Sequence, residues 1–88
     1  MAGLDLGLGQ ILYGKGRLET ALSLYLRARE HFPQEAAPYV ALGELCKETG
    51  NFEDARVMFA KATELDPRDT YARRQLLTLG AGAPNQGR

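Results

Sequence analysis

Apolar positions along the chain recur at spacings of three and four, the period of a helix with one buried face. Leu8 and Leu12 lie one turn apart, as do Leu42 and Cys46. Ala21, Tyr25 and Ala28 form a small, large, small row, and Ala55, Phe59 and Ala62 repeat it. Leu8/Leu12 and Leu42/Cys46 are expected as the buried stripes of two leading helices, and the small-large-small rows as the inner faces of two following ones. An all-α fold of antiparallel helical hairpins is predicted.

The two hairpins are copies. Sliding the sequence by 34 residues places Leu8, Gly9, Gly16, Ala21, Ala28 and Pro33 on Leu42, Gly43, Gly50, Ala55, Ala62 and Pro67, the signature of a stacked repeat. Tyr25 then falls on Phe59, Leu18 on Phe52 and Leu12 on Cys46. Gly9 and Gly43 sit beside the buried stripe, where a missing side chain lets the next helix approach and offsets the roughly 1 kcal/mol propensity cost of glycine. Gly16 and Gly50 follow the last periodic residues and are expected as left-handed helix stops. Asn51 with Asp54 resembles an N-cap arrangement, whereas its counterpart Arg17 is a poor cap. Pro33 and Pro67 end the second helices by disfavouring helix at the preceding residue and removing a donor.

On these residues the chain resembles the tetratricopeptide repeat family, with Tyr39, Leu42, Gly43, Gly50, Ala55, Phe59, Ala62 and Pro67 reading as a near-complete repeat. The resemblance covers roughly Leu4 to Leu79. The first unit departs from it at Asp5, where a bulky aromatic is usual, and carries Gly3, Gly7 and Gly14 in what should be its leading helix, making that helix the frailest element. The resemblance implies a right-handed superhelix of antiparallel helix pairs with about five helices in one domain. Its units are expected at 2–35 and 36–69, followed by a closing helix at 70–79 and a flexible tail at 80–88.

That closing helix has Asp69 as its possible N-cap and Tyr71, Ala72, Leu76, Leu77 and Leu79 as apolar surface. Its partner helix is never supplied, because Gly80 to Arg88 lacks periodicity. Leu77 occupies the place of Gly9 and Gly43, and Leu77 and Leu79 are the candidates for an apolar oligomer face.

Composition narrows the classes of function. The 88 residues are 44% hydrophobic and 25% charged, an ordinary folding composition for one domain. Eleven basic residues balance eleven acidic ones, so the overall field that would draw nucleic acid or an anionic membrane is absent. Residues 36–69 hold four basic and seven acidic groups, while 70–88 hold three arginines and no acid, a polarity that could help copies pair head to tail. No signal-peptide pattern or run of about 20 apolar residues occurs. One cysteine, Cys46, allows neither an intramolecular disulfide nor a thiol-rich zinc site. A cytoplasmic location is the default expectation.

No constellation for catalysis, cofactor or metal emerges. His31, the single histidine, is expected in the last turn of a helix, where a cation suits the macrodipole, and Cys46 shares the core register of Leu12. Glu44 and Glu48 are four apart, as solvated helix carboxylates often are. Gly7, Gly9, Gly14 and Gly16 lack the lysine and hydroxyl residue of a phosphate loop. Arg73 and Arg74, even with Arg27, Arg29 and Lys15, form no dense stripe and lack interleaved aromatics.

Function is therefore expected on the leading helices, which in the family line a concave inner surface. The groove candidates are Leu6, Gln10 and Tyr13 in the first unit, Val40, Glu44 and Lys47 in the second, and Tyr71, Arg74 and Thr78 on the closing helix. They mix apolar area with both charge signs, as suits an extended or helical segment of a protein partner. The carboxylate clamp that grips chaperone C-termini is absent, its places reading Leu6, Gln10, Ala41, Tyr71 and Gln75, so that partner is not predicted. Two alternatives stay open: a self-assembly module, since two and a half repeats fall below the about three a stable stack needs, and a piece of a longer array.

Overall fold

The computed structural model describes residues 3–82, which form five helices in chain order. They are α1 (Gly3–Gly14), α2 (Leu18–His31), α3 (Ala37–Glu48), α4 (Phe52–Leu65) and α5 (Thr70–Gly82). No strand occurs among the described residues. Helix α1 packs on α2 and α3 on α4, α2 joins the hairpins by packing on α3, and α5 closes against α4.

The turns are made by the glycines. Gly16 and Gly50 have φ of +82° and +86°, and no other described residue has positive φ. At each, two bonds close the preceding helix: Gly16 N–H to the Tyr13 carbonyl at 3.0 Å and Arg17 N–H to the Leu12 carbonyl at 2.8 Å. Gly50 N–H to the Lys47 carbonyl at 3.1 Å and Asn51 N–H to the Cys46 carbonyl at 2.8 Å repeat the pattern. This pairing absorbs carbonyls a helix end leaves orphaned, and it requires the left-handed backbone that glycine alone adopts cheaply. The second helices stop one residue before the cap, with Phe32 N–H on the Ala28 carbonyl and Asp66 N–H on the Ala62 carbonyl, both at 2.9 Å. Pro33 and Pro67 follow immediately.

Helix starts depart from expectation. Asn51 makes no side-chain cap bond; its amide Nδ2 donates instead to Thr49 Oγ1 at 3.3 Å, and its backbone N–H is already committed to closing α3. Asp69 does cap α5, its Oδ1 accepting from Tyr71 N–H at 3.0 Å and Ala72 N–H at 3.3 Å. Helix α5 also runs on through Gly82, past the expected end at Leu79. The rest of the expected tail, 83–88, lies outside the described residues.

The core follows the repeat. Ala21, Tyr25, Ala41, Leu42 and Leu45 form one cluster at the junction of the hairpins, and Tyr39, Ala55, Phe59, Ala62, Ala72 and Leu79 form the next. Gly9 and Gly43 are where the helices of each hairpin touch. A Cβ on Gly9 would lie 2.6 Å from Tyr25 Cε1, and one on Gly43 2.8 Å from Phe59 Cε2 and Cζ. The aromatic ring of each second helix thus lies directly over the glycine of the first.

Burial corrects three sequence expectations. Leu8, the register partner of buried Leu42 at 2% exposure, is 51% exposed because none of the described helices packs over that side of α1. Cys46 is half-buried, packing against the edge of the second core cluster rather than lying inside it; it borders a cavity of about 210 Å³ lined by Leu18, Glu19, Leu22, Leu45, Cys46, Thr49 and Asn51. Leu79 is 7% exposed and belongs to the second core cluster, so it is removed from the oligomer face. Its register is that of Leu45, the side of a leading helix covered by the hairpin before it, whereas Leu77, 66% exposed, has the register of Gly43 and is covered by none of the described helices.

At the expected aromatic position of the first unit, Asp5 has replaced a ring with an ion pair. Arg27 of α2 donates to both Asp5 oxygens, Nη2 to Oδ1 at 3.0 Å and Nε to Oδ2 at 3.2 Å. The guanidinium holds the Asp5 carboxyl below its ordinary range. In the second unit Tyr39 fills that place with its ring in the core and its hydroxyl on the Pro33 carbonyl at 3.2 Å. An exposed ion pair contributes little next to a buried ring, and Gly9 is the one buried residue of α1.

Candidate functional site: the face of the leading helices

The leading helices α1, α3 and α5 are joined side chain to side chain. Tyr13 Oη on α1 donates to Glu48 Oε1 on α3 at 3.4 Å. Tyr71 Oη on α5 donates to Glu44 Oε2 on α3. Lys47 Nζ on α3 donates to Gln75 Oε1 on α5 at 2.6 Å. Helical spacing explains why the three α3 residues serve both neighbours: Glu44, Lys47 and Glu48 lie at i, i+3 and i+4, on one face.

These bridges bring together four of the nine groove candidates, Tyr13, Glu44, Lys47 and Tyr71. Leu6 and Val40 are half-buried and pack partly against the core clusters, so each offers one edge to solvent. Gln10, Arg74 and Thr78 are exposed and no bridge ties them to a neighbouring helix. Glu48 and Gln75 complete the set although neither was among the candidates. Glu48 was legible as the i+4 neighbour of Glu44, but its reach to Tyr13 depends on how α1 lies against α3, which one helix's spacing does not contain.

Three tyrosine hydroxyls on or under this face are held protonated. Burial first, then the hydrogen bond to Glu44, pushes Tyr71 up to about 12. Tyr13 is raised by burial and by the charge of Glu48 and Glu44, and Tyr25 by burial and the charge of Glu44. At neutral pH all three hydroxyls stay protonated, and Tyr13 and Tyr71 donate to Glu48 and Glu44. The Tyr71 ring also meets the edge of buried Phe59, centroids 6.3 Å apart at 75°, so the hydroxyl is aimed by core packing.

The face offers hydrogen-bond donors, acceptors and both charges on a rigid helical base. Among the described residues no group of three or more His, Cys, Asp or Glu is placed to hold a metal ion. Burial, followed by the charge of Asp54, pushes the Cys46 thiol up, which lowers its fraction of reactive thiolate. Among the described residues no helix is long and apolar enough to cross a membrane.

Paired helices in a 34-residue register, a glycine under each aromatic and a leading-helix face left open define a helical-hairpin repeat protein. The tetratricopeptide repeat family model matches residues 1–68, and the chain belongs to that family. A similar curated protein is Protein CTR9 homolog of Arabidopsis thaliana, 36% identical over 66 residues, which are 75% of this chain and 6% of that protein. The chain therefore spans a small part of the relative's length. Tetratricopeptide repeats generally mediate protein–protein interaction.

Proposed function

We propose that the chain is a non-catalytic scaffold that holds a peptide or helix of a partner protein on the face formed by α1, α3 and α5, in the concave groove of a right-handed superhelix. The observation that carries this reading is the set of three bridges, Tyr13–Glu48, Glu44–Tyr71 and Lys47–Gln75, which fix the spacing of the leading helices. A preorganised face binds with less ordering cost than one assembled on contact. Gln10, Arg74 and Thr78 are the free polar groups beside it, and the exposed edges of Leu6, Val40 and Tyr71 supply apolar contact. A cytoplasmic setting belongs to the same reading, supported by a lone, half-buried thiol that has no disulfide partner in the chain.

Lys47→Glu combined with Arg74→Glu is expected to abolish co-purification of partner proteins while leaving the circular dichroism spectrum unchanged. Lys61→Glu, on the exposed side of α4, is expected to leave partner binding intact. Retention of every partner by the double variant would refute the assignment of this face.

A further inference from the structure

The two repeat units differ at the start of their second helices. Leu18 and Leu22 of α2 stand where α4 has Phe52 and Arg56, 34 residues on. In α4, Arg56 pairs with Glu53 three residues before it, at 3.8 Å. Glu19 is the counterpart of Glu53, but Leu22 takes the place of its cation, and Glu19 makes no ion pair among the described residues. The exchange leaves an unpaired carboxylate beside a leucine that is 37% exposed.

That leucine borders a cavity. The half-open space of about 210 Å³ beside Cys46 lies between the start of α2 and the end of α3. Leu18, Leu22, Leu45 and Cys46 give it an apolar wall, and the polar groups at its rim are already engaged. Thr49 Oγ1 donates to the Leu45 carbonyl, with the Cys46 carbonyl at the same 3.1 Å, and accepts from Asn51 Nδ2. An apolar occupant therefore leaves no rim group without a partner.

Volume limits the occupant to a single group. An apolar cavity of about 150 Å³ holds one benzene, whereas pockets for drug-sized ligands span about 300–1,000 Å³. A cavity of about 210 Å³ accepts one ring and excludes a molecule of cofactor size.

A second depression shares Leu18 as a wall, and Tyr13, Gly14, Gly16 and Glu48 complete it. It is open at the glycines, since a Cβ on Gly14 or Gly16 would meet nothing within 4 Å. Tyr13 and Glu48 form the bridge between α1 and α3 on the leading-helix face, so the depression links that face to the cavity. Glu19 and Glu48 are the charged residues lining the two, and no basic residue lines either. Arg17 lines a third depression beside Glu19.

We propose that the cavity is an anchor site for one large apolar side chain, up to a phenyl ring, of a partner peptide that carries basic residues beside it. An apolar anchor in a pocket supplies affinity, and carboxylates at its rim supply the preference for basic neighbours. Continuity with the Tyr13–Glu48 bridge makes it the place where a segment lying on the leading-helix face ends. That continuation rests on the function proposed above; the site itself does not.

The acetylated and amidated peptide Lys-Phe-Lys, titrated into the full chain and followed by amide chemical shifts, tests the site. Saturable shifts are expected at Leu22, Cys46, Thr49 and Asn51. Lys-Ala-Lys is expected to bind at least about tenfold more weakly, the loss of an anchor side chain, and Glu-Phe-Glu is also expected to bind more weakly. Leu22→Arg, which restores the residue of the other unit at an exposed position, is expected to remove the Lys-Phe-Lys shifts with circular dichroism unchanged. The alanine peptide keeps the test independent of how any variant folds. Four results would each overturn the proposal: no shifts at these residues, equal binding of the phenylalanine and alanine peptides, equal binding of the lysine and glutamate peptides, or a folded Leu22→Arg variant that binds as before. The tripeptides report on the cavity alone and partner co-purification with the Lys47→Glu, Arg74→Glu variant on the face alone, so either reading can fail without the other.

Discussion

Phe59→Ala is expected to destabilise the protein by about 3–5 kcal/mol, the cost of emptying a fully buried aromatic site. Phe59 has 0% exposure and lies at the meeting point of three helices. It stands over Gly43 of α3, belongs to a cluster with Ala55, Ala62, Ala72 and Leu79, and touches the Tyr71 ring of α5 edge-on. A domain this size has about 5–15 kcal/mol in all, and each kcal/mol shifts its melting point by about 4–8 °C. The variant should melt at least about 10 °C lower on that scaling. Loss of the ring also frees Tyr71, so the interaction face should weaken with the core. Thermal denaturation followed by circular dichroism measures the first effect, and partner co-purification the second.

The same residue type gives opposite results at two positions, and that contrast follows from what lies over each. Gly43→Leu is expected to cost about 1–3 kcal/mol from overpacking, offset only in part by the about 1 kcal/mol that relief from glycine returns to a helix. Its Cβ would stand 2.8 Å from the Phe59 ring, and that ring has 0% exposure and no room to retreat. Gly7→Ala meets nothing within 4 Å and is expected to stabilise the monomer by up to about 1 kcal/mol through helix propensity alone. Denaturant unfolding of both variants under monomeric conditions gives the two signs. Equal destabilisation by the two substitutions would mean that glycine at 43 serves backbone freedom rather than the approach of Phe59.

Much of the fold was legible because the repeat states it twice. Gly16 and Gly50 were readable as left-handed stops, Gly9 and Gly43 as points of close approach, and Pro33 and Pro67 as terminators, each from position within a 34-residue period. What the period does not carry is which copies are covered. Leu8 and Leu42 are identical in register and opposite in burial, since coverage depends on having a neighbour in the stack. Leu79 was misplaced for the converse reason: adjacent to Leu77 in apolar character, it points back toward α4 in the register of Leu45, while Leu77 points onward. The cap on α4 was misread because Asn51 looks favourable by residue type, yet its side chain turns to Thr49.

The candidate face was legible in its helices and partly in its residues. The resemblance to the repeat family pointed to the leading helices, and helical spacing then picked out Tyr13, Glu44, Lys47 and Tyr71 among their positions not used for packing. The pairs they form involve residues 27 to 35 apart in sequence, and Glu48 and Gln75 entered only once the helices were set side by side. Asp5 was legible as a departure from the repeat but its partner was not: Arg27 binds it bidentately from α2, an exposed pair that replaces little of a buried ring.

Burial that follows position in the stack should appear directly as a gradient of amide hydrogen exchange, measured where the protein sediments as a monomer. Protection is expected to be greatest in α3 and α4, around Leu42, Leu45, Phe59 and Ala62, and least in α1, where Gly9 is the one buried residue. Uniform protection across all five helices, or an α1 as slow to exchange as α3, would contradict a stack in which each helix is held by its neighbours.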